Sequence, residues 1–365
     1  MTLPLSDLRI VEFGGQGPGP FAGGLLADFG ADVVRIDRPG PPIIEPRYDA
    51  YNRNKRSVSL NLKVAEEWAV VKELIAGADV VIEGYRPGVM EKLGFGPDDC
   101  LDFNPRLVYG RMTGWGQDGP MAREAGHDIN YLALTGALNS FGFPDRPPVA
   151  PLNLVADLGG GGMYLAFGIM TALHERRTSG KGQVVDCAMI EGVSHLMSMF
   201  HSFRQQGTWT DSRMDNSVDG GAADYGCFET KDGKHVSVGA LEPQFYQSLL
   251  TVLGLDPEKI PDRRDRANWP ELRRLFEERF LTRTRAEWEE AMAGTDACLS
   301  PVLTMGEAWE HPQMRARNVF IEFDGLVHPA PTPRLSRTPG SLRRLTPTPG
   351  EHNAEVLADW GIRAG

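Results

Sequence analysis

Cysteine is scarce in this sequence: Cys100, Cys187, Cys227 and Cys298 are the four in 365 residues. They are scattered, with no metal-ligand pair spacing, and read as reduced thiols of a cytoplasmic protein. A basic excess is also missing. The formal net charge is −11, which argues against a nucleic-acid binder while leaving room for a local basic patch that holds a small anion. No apolar run is expected to reach the about 20 residues that a bilayer crossing takes. The opening residues Met1 to Asp7 have no basic region ahead of an apolar core, so no signal peptide is expected. The closing residues Trp360 to Gly365 match no peroxisomal or lipidation signal. None of the eight histidines belongs to a His-x-x-x-His pair, and no metal site is readable. Internal repeats and low-complexity tracts are absent.

What is present is an ordinary globular composition, 41% hydrophobic and 24% charged, and enough chain for two domains. Leu8 to Phe13, Ala31 to Asp37, Asp79 to Glu83 and Leu107 to Met112 read as short buried strands. Phe21 to Phe29, stopped by Gly30, and Ala65 to Ala76 have helical periodicity. Strands alternating with helices imply parallel pairing, so the first half is expected to be a doubly wound α/β domain. Met163 to Glu175 reads as a helix, Val184 to Met189 as a strand and Glu191 to Gln206 as one further helix. Gly207 to Gly226, rich in Gly, Asp, Asn and Ser, reads as a linker. Beyond it, Cys227 to Val238 is a hairpin turning at Asp232-Gly233. Helices follow at Glu242 to Leu253, Trp269 to Leu281 and Arg285 to Ala293. Pro329 to Pro349 is expected to be extended, and Glu351 to Trp360 a closing helix. The expected domains are therefore 1–206, completed by 325–365, and a small α+β domain over 227–324, with 207–226 between them.

The glycine turn Gly14 to Pro20, with Asp37 at the end of the next strand, invites a dinucleotide reading. The spacing rejects it: no three glycines fall at i, i+2 and i+5, and Pro18 and Pro20 remove backbone donors. Pro39 to Lys63 is long for an α/β connection. It is basic as well, with Arg47, Arg53, Lys55, Arg56 and Lys63, preceded by Arg35 and Arg38 and followed beyond the third strand by Arg86 and Lys92. In so acidic a chain this concentration suggests a polyanion site, against the alternative of a solvated basic surface.

Ala125 to Gly162 holds two ionisable groups in glycine-rich surroundings: His127 in Gly126-His127-Asp128-Ile129-Asn130-Tyr131, and Asp157 before the glycines Gly159 to Gly162. Taken singly, His127 reads as a structural or surface histidine, Asp157 as a helix N-cap, and Glu242, before Pro243, as a helix-start acid. Met163, Met170, Met197 and Met199 read as core, with a flexible thioether binding surface as the alternative.

The motifs gather in Gly17-Pro18-Gly19-Pro20-Phe21, Ala27-Asp28-Phe29-Gly30-Ala31, Val34-Arg35-Ile36-Asp37-Arg38-Pro39, Leu60-Asn61-Leu62-Lys63 and Gly84-Tyr85-Arg86-Pro87-Gly88-Val89. They continue in Gly126 to Tyr131, Pro151-Leu152-Asn153-Leu154, Gly180-Lys181-Gly182-Gln183, Glu242-Pro243-Gln244-Phe245-Tyr246 and Gly294-Thr295-Asp296-Ala297-Cys298. Over nearly its whole length the chain resembles the family III CoA-transferase (CaiB/BaiF-type) superfamily and, within it, the α-methylacyl-CoA racemases.

The resemblance implies a Rossmann-like large domain, a small α+β domain and an interlaced homodimer. It implies proton transfer at C2 of a 2-methylacyl-CoA thioester, with no cofactor beyond the substrate's own CoA and no metal, nucleic-acid or membrane partner. His127 and Asp157 match the two bases. Glu242 matches the carboxylate that pairs with the histidine, supplied by the partner subunit. A backbone N–H near Asp128 is the matching donor for the enolate oxygen. For CoA, Arg38 and Leu60, Asn61, Leu62 and Lys63 match contacts to nucleotide and phosphates, Arg86 and Lys92 are further phosphate candidates, and Gly126, Asp128, Ile129, Asn130 and Tyr131 line the substrate. One rival stays open, a CoA-transferase of the same superfamily with Asp157 as acyl-anhydride nucleophile. A non-catalytic acyl-CoA binder is the other; intact His127, Asp157 and Glu242 speak against it.

Overall fold

Runs of β-branched and aliphatic residues, each bounded by glycine, proline or a polar turn, give the four inner strands of the main sheet their buried character. The computed structural model describes residues 2–42 and 44–362; Met1 and the last three residues of the closing sextet lie outside the described residues. Six strands form one sheet: β1 (Arg9–Phe13), β2 (Asp32–Asp37), β3 (Arg56–Ser59), β4 (Val80–Glu83), β5 (Val108–Thr113) and β6 (Gln183–Ala188). All pairings are parallel, in the order β3-β2-β1-β4-β5-β6. That is the doubly wound order, whose direction reverses between β1 and β4. Ligands of such sheets bind outside the carboxyl ends of the strands at that switch point.

The expected long loop 39–63 is corrected by β3, which lies inside it. Arg56-Ser57-Val58-Ser59 pairs with β2 from Val34↔Arg56 to Asp37↔Ser59. Its polar alternation hides a strand that is nevertheless buried, because the C-terminal segment covers it: Ser57 O accepts from the His352 N–H, and the Ser59 N–H donates to Asn353.

The chain divides into two compact units. The first comprises residues 1–137, 151–197 and 320–365. Its core joins Val11, Phe13, Val34 and Ile36 of the sheet to Val71, Leu74 and Ile75 of the helix Ala65–Ala76, and to Val356 of the helix Asn353–Trp360. It also contains the antiparallel pair β10 (Phe320–Phe323) and β11 (Leu326–Pro329), numbered in chain order.

The second unit comprises residues 138–150 and 198–319. Strands β7 (Tyr225–Glu229), β8 (His235–Gly239) and β9 (Leu299–Val302) form its antiparallel sheet. Phe228, Phe276, Phe280 and Trp288 fill its core. The expected single helix 191–206 is two, Met189–Leu196 and Ser198–Gln205, and the unit boundary falls at the break.

One further expectation fails. Leu154 to Ser179 is helical without interruption for 26 residues at mean hydropathy 1.3, enough by length and composition to cross a membrane. Four glycines and Asp157 interrupt the apolar letters, which is why no long run stands out in the sequence. The segment packs on β5, β6 and the helix Pro18–Asp28 of the first unit.

Candidate functional site

The parallel strands decide which cations can meet a ligand. Arg38 follows β2, Lys63 follows β3, and Arg86 and Lys92 follow β4, so all four leave the carboxyl edge of the sheet, and all are exposed. The other basic residues are committed internally. Arg35 pairs with Asp37, Arg53 with Asp28, and Arg56 with Asp32, Glu355 and Asp359. Arg47 pairs with Asp324. Lys55 is sealed from solvent and donates to both oxygens of Glu12 at 2.8 and 2.7 Å, to Pro20 O and to Asn52. Burial lowers the Lys55 pKa and raises that of Glu12, each opposed by the partner's charge. The polyanion reading of 35–63 thus narrows to Arg38 and Lys63. Burial raises the Tyr85 pKa, and Arg38 opposes the shift by charge and a hydrogen bond, so Arg38 stands beside the switch-point loop Gly84–Gly88.

Leu60 is buried against the core and its N–H donates to Asp37 O. Asn61 receives the Lys63 N–H on its side chain, and its own N–H goes to Glu67. Leu62 is half-buried, packed against the same core. The segment Leu60–Lys63 is therefore a rigid turn that presents Lys63.

His127 is exposed at the start of the helix Asp128–Leu134. Its N–H donates to the Asn130 side chain at 3.0 Å. Tyr131 is buried edge-on to Trp115, with its hydroxyl donating to Gly126 O at 2.6 Å. A Cβ on Gly126 would lie 2.8 Å from the Tyr131 ring, so glycine is needed for the close approach. Tyr131 and Asn130 thereby fix the turn from below, and His127 and Ile129 face outward.

Asp157 does not cap a helix, as its position before a glycine run suggested. It lies inside a π-helical segment, Leu154–Gly162, that runs directly into the α-helix Met163–Ser179. Such π segments are uncommon and collect at functional sites. The Gly159–Gly162 run makes the seat possible. A Cβ on Gly161 would lie 3.0 Å from Pro18, and one on Gly162 2.6 Å from the Phe21 ring. Bulkier residues would push Asp157 away from the switch-point turn. Gly17 in that turn has φ 74°, and a Cβ there would meet Asp157 Oδ2 at 3.4 Å.

The two candidate bases come together. The buried Asp128 carboxylate, next in sequence to His127, accepts the N–H groups of Ala156 at 2.8 Å and Asp157 at 2.9 Å. Burial raises the Asp157 pKa, Asp128 raises it further, and the Asn153 hydrogen bond and the His127 charge pull it down. Imidazole and carboxylate therefore share one electrostatic environment, and the carboxyl group is poised to hold a proton more readily than an exposed aspartate.

Two neighbours that the motifs did not single out join the site: Asn153, inside Pro151–Leu154, and Tyr51. Asn153 donates to Asp157 Oδ2 at 3.3 Å, one turn ahead of it in the chain. Tyr51 stands against Phe21, and after burial the Asp157 charge raises its pKa. Next to Asn153, Leu152 holds the strained φ of 61°, of the kind that gathers at ligand sites.

Glu242 belongs to the second unit. It is exposed before the helix Pro243–Leu253, and with burial its charge raises the Cys298 pKa. The four thiols are free, Cys100 and Cys187 buried, Cys227 and Cys298 exposed. Met163, Met170 and Met199 are exposed rather than in the core.

Known proteins resemble this chain over nearly its whole length. The profile of CoA-transferase family III matches residues 5–353. The α-methylacyl-CoA racemase of Mus musculus is 46% identical over 98% of this chain and 93% of its own length. That of Homo sapiens is 44% identical over 99% and 94%. The crystal structure of a CaiB/BaiF family protein from Brucella suis superposes with a TM-score of 0.84 at 29% identity, covering 99% of this chain and all of that one.

Proposed function

The chain belongs to CoA-transferase family III, and from that premise we propose that it interconverts the (R) and (S) forms of a 2-methylacyl-CoA thioester by moving the C2 proton. The observation that carries the reading is the fastening of the His127 turn to Asp157 through the Asp128 carboxylate, at the edge of a doubly wound sheet, with burial raising the Asp157 pKa.

A C2 proton is weakly acidic, so its removal needs a base in reach and a donor for the developing enolate oxygen. His127 takes or returns the proton on one face and Asp157 on the other. The N–H of Asp128, at the open first turn of its helix, is the donor aimed at the thioester oxygen. Glu242 of the partner subunit would hold the His127 ring and stabilise its charged form, in an interlaced homodimer. Arg38 and Lys63, with Arg86 and Lys92, receive the CoA phosphates, and Ile129, Leu152 and Leu154, exposed beside the bases, offer the acyl chain an apolar surface. The chemistry asks for no metal or redox cofactor, and reduced thiols suit a cytoplasmic setting.

The rival transferase needs Asp157 as an anionic nucleophile and has no use for an opposed imidazole. Incubating one 2-methylacyl-CoA enantiomer in deuterated water separates the two. Deuterium at C2 with loss of optical purity is expected. Transfer of CoA to an added carboxylate without C2 exchange would overturn the racemase reading.

A further inference from the structure

A buried carboxylate keeps its place only when its oxygens find hydrogen-bond donors. Asp128 is such a group, 6% exposed, and proton transfer as described uses only its backbone. Its Oδ2 accepts two amides in succession, Ala156 and Asp157. These are the third and fourth residues of the π-helical segment, where a helix has no acceptor of its own for its N–H groups. Asp128 is thus bonded covalently to His127 and hydrogen-bonded to the backbone of Asp157. The turn on its other side is held by Asn130 on the His127 N–H and by Tyr131 on Gly126 O.

We propose that the Asp128 side chain is a positioning residue that sets the spacing of the two bases, by fastening the His127 turn to the first turn of the Asp157 helix. The proposal rests on the racemase reading. A two-base exchange needs both groups within hydrogen-bond reach of one carbon, and a 1 Å misplacement can cost about 100-fold. A charge-assisted pair of hydrogen bonds is about twice as strong as a neutral one, which suits a link that must not stretch.

The test uses the full chain and a single 2-methylacyl-CoA enantiomer in deuterated water, reading C2 deuteration, inversion and KM. In Asp128→Ala, inversion should fall about 100-fold while KM stays within about threefold. The ratio of deuteration with retention to inversion should rise at least about tenfold for one enantiomer, because the base still in place returns a solvent proton to the face it left. Asp128→Asn keeps an oxygen at the same position and should recover inversion at least about tenfold over Asp128→Ala. Amide hydrogen exchange at Ala156 and Asp157 should quicken in Asp128→Ala and less in Asp128→Asn. An unchanged retention-to-inversion ratio overturns the proposal, as does unchanged protection of those amides or a rise in KM with kcat intact. If Asp128→Ala does not fold, amide exchange at Ala156 and Asp157 in Asp128→Asn decides: protection equal to the parent's overturns the proposal. A wild-type chain that fails to racemise overturns the functional reading instead, and amide exchange still reports whether the fastening exists.

Discussion

Gly192 lies against Gly160 so closely that a Cβ on Gly192 would sit 1.9 Å from the Gly160 carbonyl oxygen. The helix Met189–Leu196 and the π segment that carries Asp157 therefore touch backbone to backbone. Gly192→Ala should force the π segment away, costing about 1–3 kcal/mol by overpacking and lowering kcat more than it raises KM. Thermal melts and steady-state kinetics check both. Gly306, where an added Cβ would meet nothing within 4 Å, is the control: Gly306→Ala should leave activity alone and shift stability by less than about 1 kcal/mol.

Glu12 and Lys55 form a pair with no solvent contact on either side chain. Lys55→Met should destabilise by about 3–5 kcal/mol, because it leaves Glu12 buried without its cation. Adding Glu12→Gln should restore part of the loss. Denaturant melts of the two single variants and the double variant give the coupling; additive losses would show that the pair does not act as a unit.

Arg38→Glu and Arg56→Ala should separate two kinds of arginine. Arg38→Glu should weaken CoA binding at least about tenfold, less so as salt is raised, because an exposed charge is screened. Arg56 serves Asp32, Glu355 and Asp359, so Arg56→Ala should lower the melting temperature and leave CoA affinity within about twofold. Calorimetric titration with CoA reads the difference.

His127→Ala and Asp157→Ala should each lower racemisation about 10²- to 10⁴-fold, the range of a lost general acid–base, with CoA affinity nearly unchanged. Near-normal turnover in both would remove them as the bases.

Asp157 should also cost stability at neutral pH. Its pKa is raised in the fold, chiefly by burial, so the folded chain holds that proton more tightly than the unfolded chain does. The stabilisation is complete below the unfolded carboxyl range and is lost as pH rises through the higher folded value. Asp157→Asn should therefore melt higher than the parent at about pH 7.5, with the gain shrinking as pH falls toward about 4. A gain that grows on acidification would reverse the sign.

Much of this was legible in the sequence, for identifiable reasons. The apolar strands and the Asp232-Gly233 hairpin depend on local patterns, and they emerged close to their expected bounds. The basic stretch misled because charge is local while pairing is not. Arg53, Lys55 and Arg56 meet Asp28, Glu12 and Asp32, residues 24 to 43 positions away, and no spacing rule announces such partners. β3 was lost for the same reason, since its burial depends on a segment almost 300 residues later. His127 and Asp157 were visible through the motifs around them. The Asp128 link and the neighbour Tyr51 became visible only when the fold brought the segments together. Asn153 sat inside the motif Pro151–Leu154, but its bond to Asp157 emerged only from the fold.

The return of the chain over β3 has a consequence for biosynthesis. Trp360 donates to Asp32, Arg343 to Ala27 O, and Arg344 O accepts from Asn54. The early strands are thus finished by residues 290 to 328 positions further along the chain. Everything in the second unit has been polymerised before position 320 emerges from the ribosome, so that unit can mature on the nascent chain. The sheet beside which Arg38 and Asp157 lie must wait, unsealed along one border, until the helix Asn353–Trp360 arrives.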